Sequence, residues 1–206
     1  MKNLNITRDY LMTNIGSFKR IKRTLDIFLA FAGILFLSIP MLIIGIIIKF
    51  TSKGPVIHWS KRVGIDNSFF MMAKFRTMRM NTPVKDIKKF HKPEKYYTSI
   101  GNFLRKLSLD ELPQLYNILI GEMSFVGPRP VLYNHFDIIN LRKEKGINLI
   151  KPGLTGLAQI KGKSELTAME RVNFDEYYMV NMSLMFDIKI IIMTNFFLFK
   201  ENYFKK

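Results

Sequence analysis

Residues Ile27–Ile48 constrain this chain more than any other stretch: they are 22 consecutive positions without a charge. As a helix rising ~1.5 Å per residue, the run reaches roughly 33 Å, enough for an apolar bilayer core of about 30 Å. A cleaved leader is a poor reading, because the stretch is too long and no small-residue cleavage site follows. A simple crossing meets two difficulties. Lys19, Arg20, Lys22 and Arg23 precede the run, and Lys49, Lys53, Lys61 and Arg62 follow it. Cationic flanks stay on the cytoplasmic side, so both ends favour the same face. Ser38 and Pro40 also stand at mid-run. Pro40 has no amide hydrogen to offer residue 36 and crowds its carbonyl, so the helix should bend, and the Ser38 hydroxyl can bond a freed carbonyl in place of water. The expectation is a re-entrant helix that enters one leaflet, turns near Ser38/Pro40 and returns. A kinked spanning helix is the competing topology. Asp26, at the start of the run, is expected to pair with Arg23 or Arg20.

Charge supports a membrane-facing or phosphate-binding protein. The net charge is +16, and residues 49–109 hold fourteen basic side chains against three acidic ones, whereas residues 110–206 hold twelve against eleven. An anionic ligand or a lipid headgroup belongs with that middle third. A chain of 206 residues with 48% hydrophobic content suits one compact domain plus an anchor. The absence of Cys excludes a disulfide scaffold, a thiolate metal site and a thiol nucleophile. His58, His91 and His135 are scattered, which argues against a zinc hydrolase.

Beyond Gly54-Pro55 the sequence reads as mixed α and β. Val56–Ser60 and Phe69–Thr77 are strand-like, and Gly64-Ile65-Asp66-Asn67 is a turn signal between them, predicting a hairpin. Residues 80–99 read as a basic loop. Short helices are expected at Ile100–Lys106 and Leu112–Leu119, and longer ones at Val131–Lys145 and Met169–Met179. Gly127-Pro128-Arg129-Pro130 and Pro152-Gly153 read as breakers. Met182–Lys206 mixes Phe, Leu, Ile and Met with Lys, as in a helix lying on a membrane surface.

Three motifs could carry chemistry. In Ser108-Leu-Asp-Glu-Leu-Pro113, Asp110 and Glu111 can flank one site at a helix start, one binding a divalent cation and the other free to attack. The structural alternative is a capping box, Ser108-x-x-Glu111. In Gly127-Pro128-Arg129-Pro130 two prolines restrict the backbone around one guanidinium, which suits two-pronged binding of phosphate. Its alternative is an exposed loop Arg. Lys74-Phe-Arg-Thr-Met78, as a strand, places Lys74, Arg76 and Met78 on one face, or forms a charged edge that resists aggregation. Gly156 to Ser164 imitates a phosphate-binding P-loop but has five residues between its glycines instead of four, so an NTPase is rejected.

In order, these blocks resemble a known family. The series is Lys22-Arg23…Asp26, the apolar segment interrupted near Ser38/Pro40, Gly54-Pro55-Val56, Arg62-Val63-Gly64, Lys74-Phe-Arg-Thr-Met78, Leu107-Ser-Leu-Asp-Glu-Leu-Pro-Gln-Leu115, Gly121-Glu-Met-Ser-Phe-Val-Gly-Pro-Arg-Pro130, Pro152-Gly-Leu-Thr-Gly156…Ala158-Gln159 and Asp175…Tyr177-Tyr178. It resembles the bacterial sugar transferases, the monotopic polyprenyl-phosphate phosphoglycosyl transferases, in their short single-domain form. The resemblance runs from about residue 19 to the C-terminus.

The resemblance implies an α+β fold, mostly helical with a small β-hairpin, a re-entrant membrane helix and interfacial amphipathic helices. It divides the chain into an N-terminal extension (1–18), the membrane helix (19–50) and a catalytic domain (51–206) at the cytoplasmic face of the cell membrane. It implies transfer of a sugar-1-phosphate from a UDP-sugar to undecaprenyl phosphate, with release of UMP, as the first membrane step of capsule, exopolysaccharide or other glycoconjugate assembly. Asp110 would be the nucleophile and Glu111 the Mg²⁺ ligand. Arg129, with Arg105, Lys74 and Arg76, would hold phosphate. The implied partners are the two substrates and the bilayer; nucleic acid is not one, and a homodimer is compatible with the sequence. Two departures stand out: Lys161-Gly162-Lys163 replaces the family's usual Asn-Gly-Arg, so Lys163 cannot make a bidentate grip, and Ile39 separates Ser38 from Pro40. The competing function is a non-enzymatic, membrane-anchored basic module, which predicts neither Asp110–Glu111 nor the paired prolines. A transferase moving the sugar alone would release UDP.

Overall fold

The computed structural model describes residues 16–80, 82, 93–162 and 166–204. The expected extension, residues 1–18, lies almost wholly outside them. The apolar run folds into one long helix, α1 (Gly16–Thr51), which alone among the described residues is long and apolar enough to cross a membrane. Its buried positions Asp26, Ala30, Ile44 and Ile48 share one face. From 26 to 44 is five full turns, and partly buried Ile34, Leu37 and Met41 fill the stripe between.

Helicity runs through Pro40 without a gap. The expected break is therefore not an interruption of the helix. The Ser38 hydroxyl donates to the Leu35 carbonyl at 2.7 Å, beside the residue 36 carbonyl that Pro40 cannot serve. Both ends of α1 are fastened to the same domain. At the start Lys22 meets Asp187 at 2.5 Å, and Arg23 donates to the carbonyls of Ile118 and Leu119 at 2.6 and 2.7 Å. At the end Ile44 and Ile48 pack on Phe75 and Leu104. Between Ala30 and Ile44 no position is fully buried, and Phe36 is 81% exposed. The expected pairing of Asp26 with Arg23 or Arg20 does not form. Asp26 accepts from the Ser124 hydroxyl and the Phe125 amide, both at 3.1 Å, because burial against the domain supplies better donors than an interfacial guanidinium.

The predicted hairpin is present as β1 (Ile57–Val63) and β2 (Phe69–Phe75), antiparallel from Ile57↔Phe75 to Val63↔Phe69. Asp66 and Asn67 take φ of 53° and 57° in its turn, a conformation their short polar side chains tolerate. Two short helices follow, α2 (Gly101–Lys106) and α3 (Gln114–Ile120). Asn117 of α3 seals the hairpin edge: its Oδ1 accepts from the Ala73 amide at 2.9 Å, and its Nδ2 donates to the Met71 carbonyl at 2.8 Å.

Two segments beside the predicted breakers, where no strand was expected, form a second sheet. β3 (Ser124–Val126) pairs in parallel with β4 (Gly153–Thr155). Three-residue strands have no readable period, and their pairing is long-range. The glycines explain the tightness: a Cβ on Gly153 would lie 2.1 Å from the Gly127 nitrogen, and one on Gly156 2.1 Å from the Gly127 oxygen. Helices α4 (Phe136–Glu144), α5 (Leu157–Gly162), α6 (Ala168–Val180) and α7 (Leu184–Phe204) complete the chain. α4 starts five residues later than expected, because Leu132 bridges to Arg62. α5 was not anticipated. α7 buries Asp187 and Ile190 against the domain and exposes a stripe of Met185, Ile188, Ile192 and Phe196, consistent with an interfacial helix.

Candidate active site

The local backbone before the two carboxylates is unusual. Ser108 has φ 55° and ψ 20°, left-handed for a residue with a side chain, and its hydroxyl makes no capping bond. The capping box is therefore not formed. Leu109–Glu111 makes a single 3₁₀ turn ahead of α3, and this turn sends the Glu111 side chain across to other elements. Strain of this kind costs on the order of 1–3 kcal/mol and persists only where surrounding contacts hold it.

Glu111 Oε1 accepts from Lys74 Nζ at 2.7 Å and from Arg129 Nη2 at 2.8 Å. Lys74 comes from β2 and Arg129 from the loop after β3, so three distant segments converge. Burial pushes the Glu111 carboxyl up, but Arg129 and then Lys74 outweigh it and hold the group well below the usual range. Burial pulls the Lys74 ammonium down, against Glu111. Glu111 raises the Arg129 guanidinium further, and the Arg129 side chain keeps 43% of its surface open.

Asp110 is 5% exposed. Its carboxylate accepts no hydrogen bond among the described residues. Burial raises its pKa, opposed by Lys74, Arg105 and Arg129. A buried carboxylate with fixed cations near it and no hydrogen-bond donor on it is free to act as a nucleophile. Among the described residues no cluster of three His, Asp or Glu could enclose a metal alone. What the site offers a divalent cation is Glu111 Oε2, which neither cation occupies, beside Asp110.

The other sequence-derived candidates divide. Arg105 lies within electrostatic reach of Asp110. Its Nη1 is buried without a partner, and its guanidinium stands 5.5 Å from the centre of the Tyr97 ring. Arg76 is not brought to the carboxylates. Strand β2 ends one residue before it, and its Nη2 donates to Ser52 O and Oγ at 2.8 and 2.7 Å, which caps the end of α1. Lys163 lies outside the described residues.

Sequence reasoning missed how Arg129 is held. Arg142 of α4 donates from Nη1 to the Arg129 carbonyl at 3.0 Å, and from Nε and Nη2 to Asp175 Oδ2 of α6 at 3.0 and 2.6 Å. Asp175 had appeared in the motif series without a role, and nothing local marks Arg142.

A profile of the bacterial sugar transferase family matches residues 17–201. The chain belongs to that family. It is 37% identical over 189 residues to the exopolysaccharide production protein ExoY of Sinorhizobium fredii, covering 84% of this chain and 83% of the relative. It is 39% identical over 188 residues to the UDP-glucose:undecaprenyl-phosphate glucose-1-phosphate transferase of Escherichia coli K12, covering 88% of this chain but 40% of that protein. The undecaprenyl-phosphate galactose phosphotransferase of Salmonella typhimurium is 36% identical over 191 residues, with 39% of its length covered. The chain thus spans most of the rhizobial member and about two-fifths of the two enterobacterial members.

Proposed function

We propose that the chain transfers a sugar-1-phosphate from a UDP-sugar to undecaprenyl phosphate. The observation that carries this reading is an unbonded, buried Asp110 beside a Glu111 clamped by Lys74 and Arg129. An oxygen of Asp110 attacks the β-phosphorus. The bond from that phosphorus to the bridging oxygen breaks, and UMP leaves with the electron pair. The phosphate oxygen of undecaprenyl phosphate then attacks the same phosphorus, the bond to Asp110 breaks, and the carboxylate is regenerated. Lys74 and Arg129 lower the cost of bringing a carboxylate to an anion, and Arg129, half open, can grip phosphate while held from behind by Glu111.

The donor set fits Mg²⁺, which takes one or two carboxylates and fills its shell from phosphate and water. Glu111 Oε2 would hold it, and the ion would supply charge neutralisation on the diphosphate. The lipid acceptor is supported by α1, which is fastened to one domain at both ends and presents an apolar outer face with Phe28, Phe31, Leu35, Phe36, Ile39 and Leu42 exposed. Attachment of both ends to one domain supports a topology with both on the same side, the cytoplasmic side of a nucleotide-sugar donor. An apolar groove of about 580 Å³ lies between α1 and the hairpin, lined by Ile34, Met41, Leu42, Gly45, Val56 and Phe75. The relatives named for undecaprenyl phosphate support the same acceptor.

The test is the identity of the released nucleotide. With a UDP-sugar alone, the wild type should release UMP and gain a phosphosugar adduct by mass, and Asp110→Asn should do neither. UDP would indicate transfer of the sugar alone, and no nucleotide would indicate a binding module. Excess chelator should stop release and Mg²⁺ restore it; full activity in chelator removes the metal.

A further inference from the structure

We propose that His58 holds the phosphate of the departing nucleotide, in a subsite it shares with Arg105. The inference rests on the transfer reaction above and names a residue that the reaction leaves unused.

The β-register places His58 directly opposite Lys74. Opposed residues of an antiparallel pair share a face, with Cβ atoms ≈ 4.5–5.5 Å apart. Lys74 reaches inward to Glu111, whereas His58 is exposed, so the imidazole forms the solvent side of the same wall. The charged groups that act on it are Arg62 of its own strand, Lys74 of β2 and Arg105 of α2, and no carboxylate is among them. It makes no hydrogen bond among the described residues. Partial desolvation of the ring, with those cations, holds it below the usual imidazole range, and the imidazole has an N–H to give. Arg105 contributes the second unused donor, a buried Nη1 without a partner. Two donors without hydrogen-bond partners, beside the cations Arg62 and Lys74, make a place for an anion.

The depth of Asp110 decides which anion. The attacked phosphorus must sit deep, against a carboxylate that is 5% exposed. An in-line displacement puts the leaving oxygen on the far side of that phosphorus. The leaving phosphate therefore lies outward, along the wall that carries His58. It gains negative charge as the bond breaks, so donors fixed there act on the transition state. Undecaprenyl phosphate offers the same phosphate monoester chemistry, and the measurements must separate the two.

UMP and uridine binding would be measured by calorimetry on the wild type, His58→Phe and His58→Gln, with KM for each substrate. In His58→Phe the UMP affinity should fall about tenfold, the loss of one hydrogen bond to a charged group. KM for the UDP-sugar should rise, while uridine affinity and KM for undecaprenyl phosphate stay level. His58→Gln retains an N–H donor and should restore most of the UMP affinity. Unchanged UMP affinity in His58→Phe overturns the assignment, as does a rise confined to KM for undecaprenyl phosphate. A wild type that releases UDP, or fails to bind UMP, overturns the reaction itself.

Discussion

Replacing Arg142 by Met should cost about 4 kcal/mol at pH 7, and most of that cost should vanish in mild acid. Asp175 is 2% exposed, and its Oδ2 accepts from Arg142 Nε and Nη2 at 3.0 and 2.6 Å. Burial already raises its pKa, and Arg142 is the chief influence opposing that rise. Without Arg142 only the weaker Coulombic pull of Arg171 opposes burial, and the carboxylate is protonated in the fold rather than left charged. Protonating at pH 7 a group whose unfolded pKa is ≈ 3.9 costs about 4 kcal/mol, in line with the 3–5 kcal/mol typical of broken buried pairs. The sign follows from linkage. The folded variant holds a proton that the unfolded chain has released, so stability falls as pH rises, by about 1.4 kcal/mol per unit above pH 4. Urea unfolding in mild detergent, followed by helical circular dichroism between pH 5 and 8, would show it. Arg142→Met/Asp175→Leu should recover most of the stability and lose the pH slope. It should not recover activity, because the Arg129 carbonyl still lacks its donor; kcat/KM should stay at least about tenfold down. A loss under about 1 kcal/mol, or a flat pH profile, refutes the reasoning on burial. Full activity in the double variant refutes the role in placing Arg129.

Three further outcomes are expected. Gly153→Ala places a Cβ 2.1 Å from the Gly127 nitrogen, so the loop bearing Arg129 must move; kcat should fall about a hundredfold, and unaltered kcat would show that the loop's position is not critical. Arg129→Lys keeps charge but loses the two-pronged grip; turnover should drop at least about tenfold, and full turnover would show that charge alone suffices. Single Cys residues at Asn5 and Ser99, in a chain with no native Cys, should both resist an impermeant thiol reagent in intact cells and both react after lysis. Pro40→Leu, which restores an amide donor, should expose position 5 partly, and a fully protected position 5 would assign the topology to the flanking charges instead.

The long apolar helix, the hairpin and the two carboxylates were legible because each is written locally: an uncharged run, two β-like stretches around Gly64-Ile-Asp-Asn67, and adjacent acids after a basic third. Strand pairing between 124–126 and 153–155 was not, since three residues carry no period and the partner lies far along the chain. The sequence by itself determined that this protein has one long apolar helix, an excess of cations beside it, and Asp110 and Glu111 as its candidate chemistry. Only the tertiary structure decided which cations reach them. Lys74 and Arg76 stand two residues apart, yet one bonds Glu111 and the other caps α1, because β2 ends between them and the chain turns away. Arg142 and Asp175 acquire a role only when α4 and α6 pack behind the Arg129 loop, for a buried ion pair depends on burial and proximity, and neither is a property of a residue's neighbours in sequence.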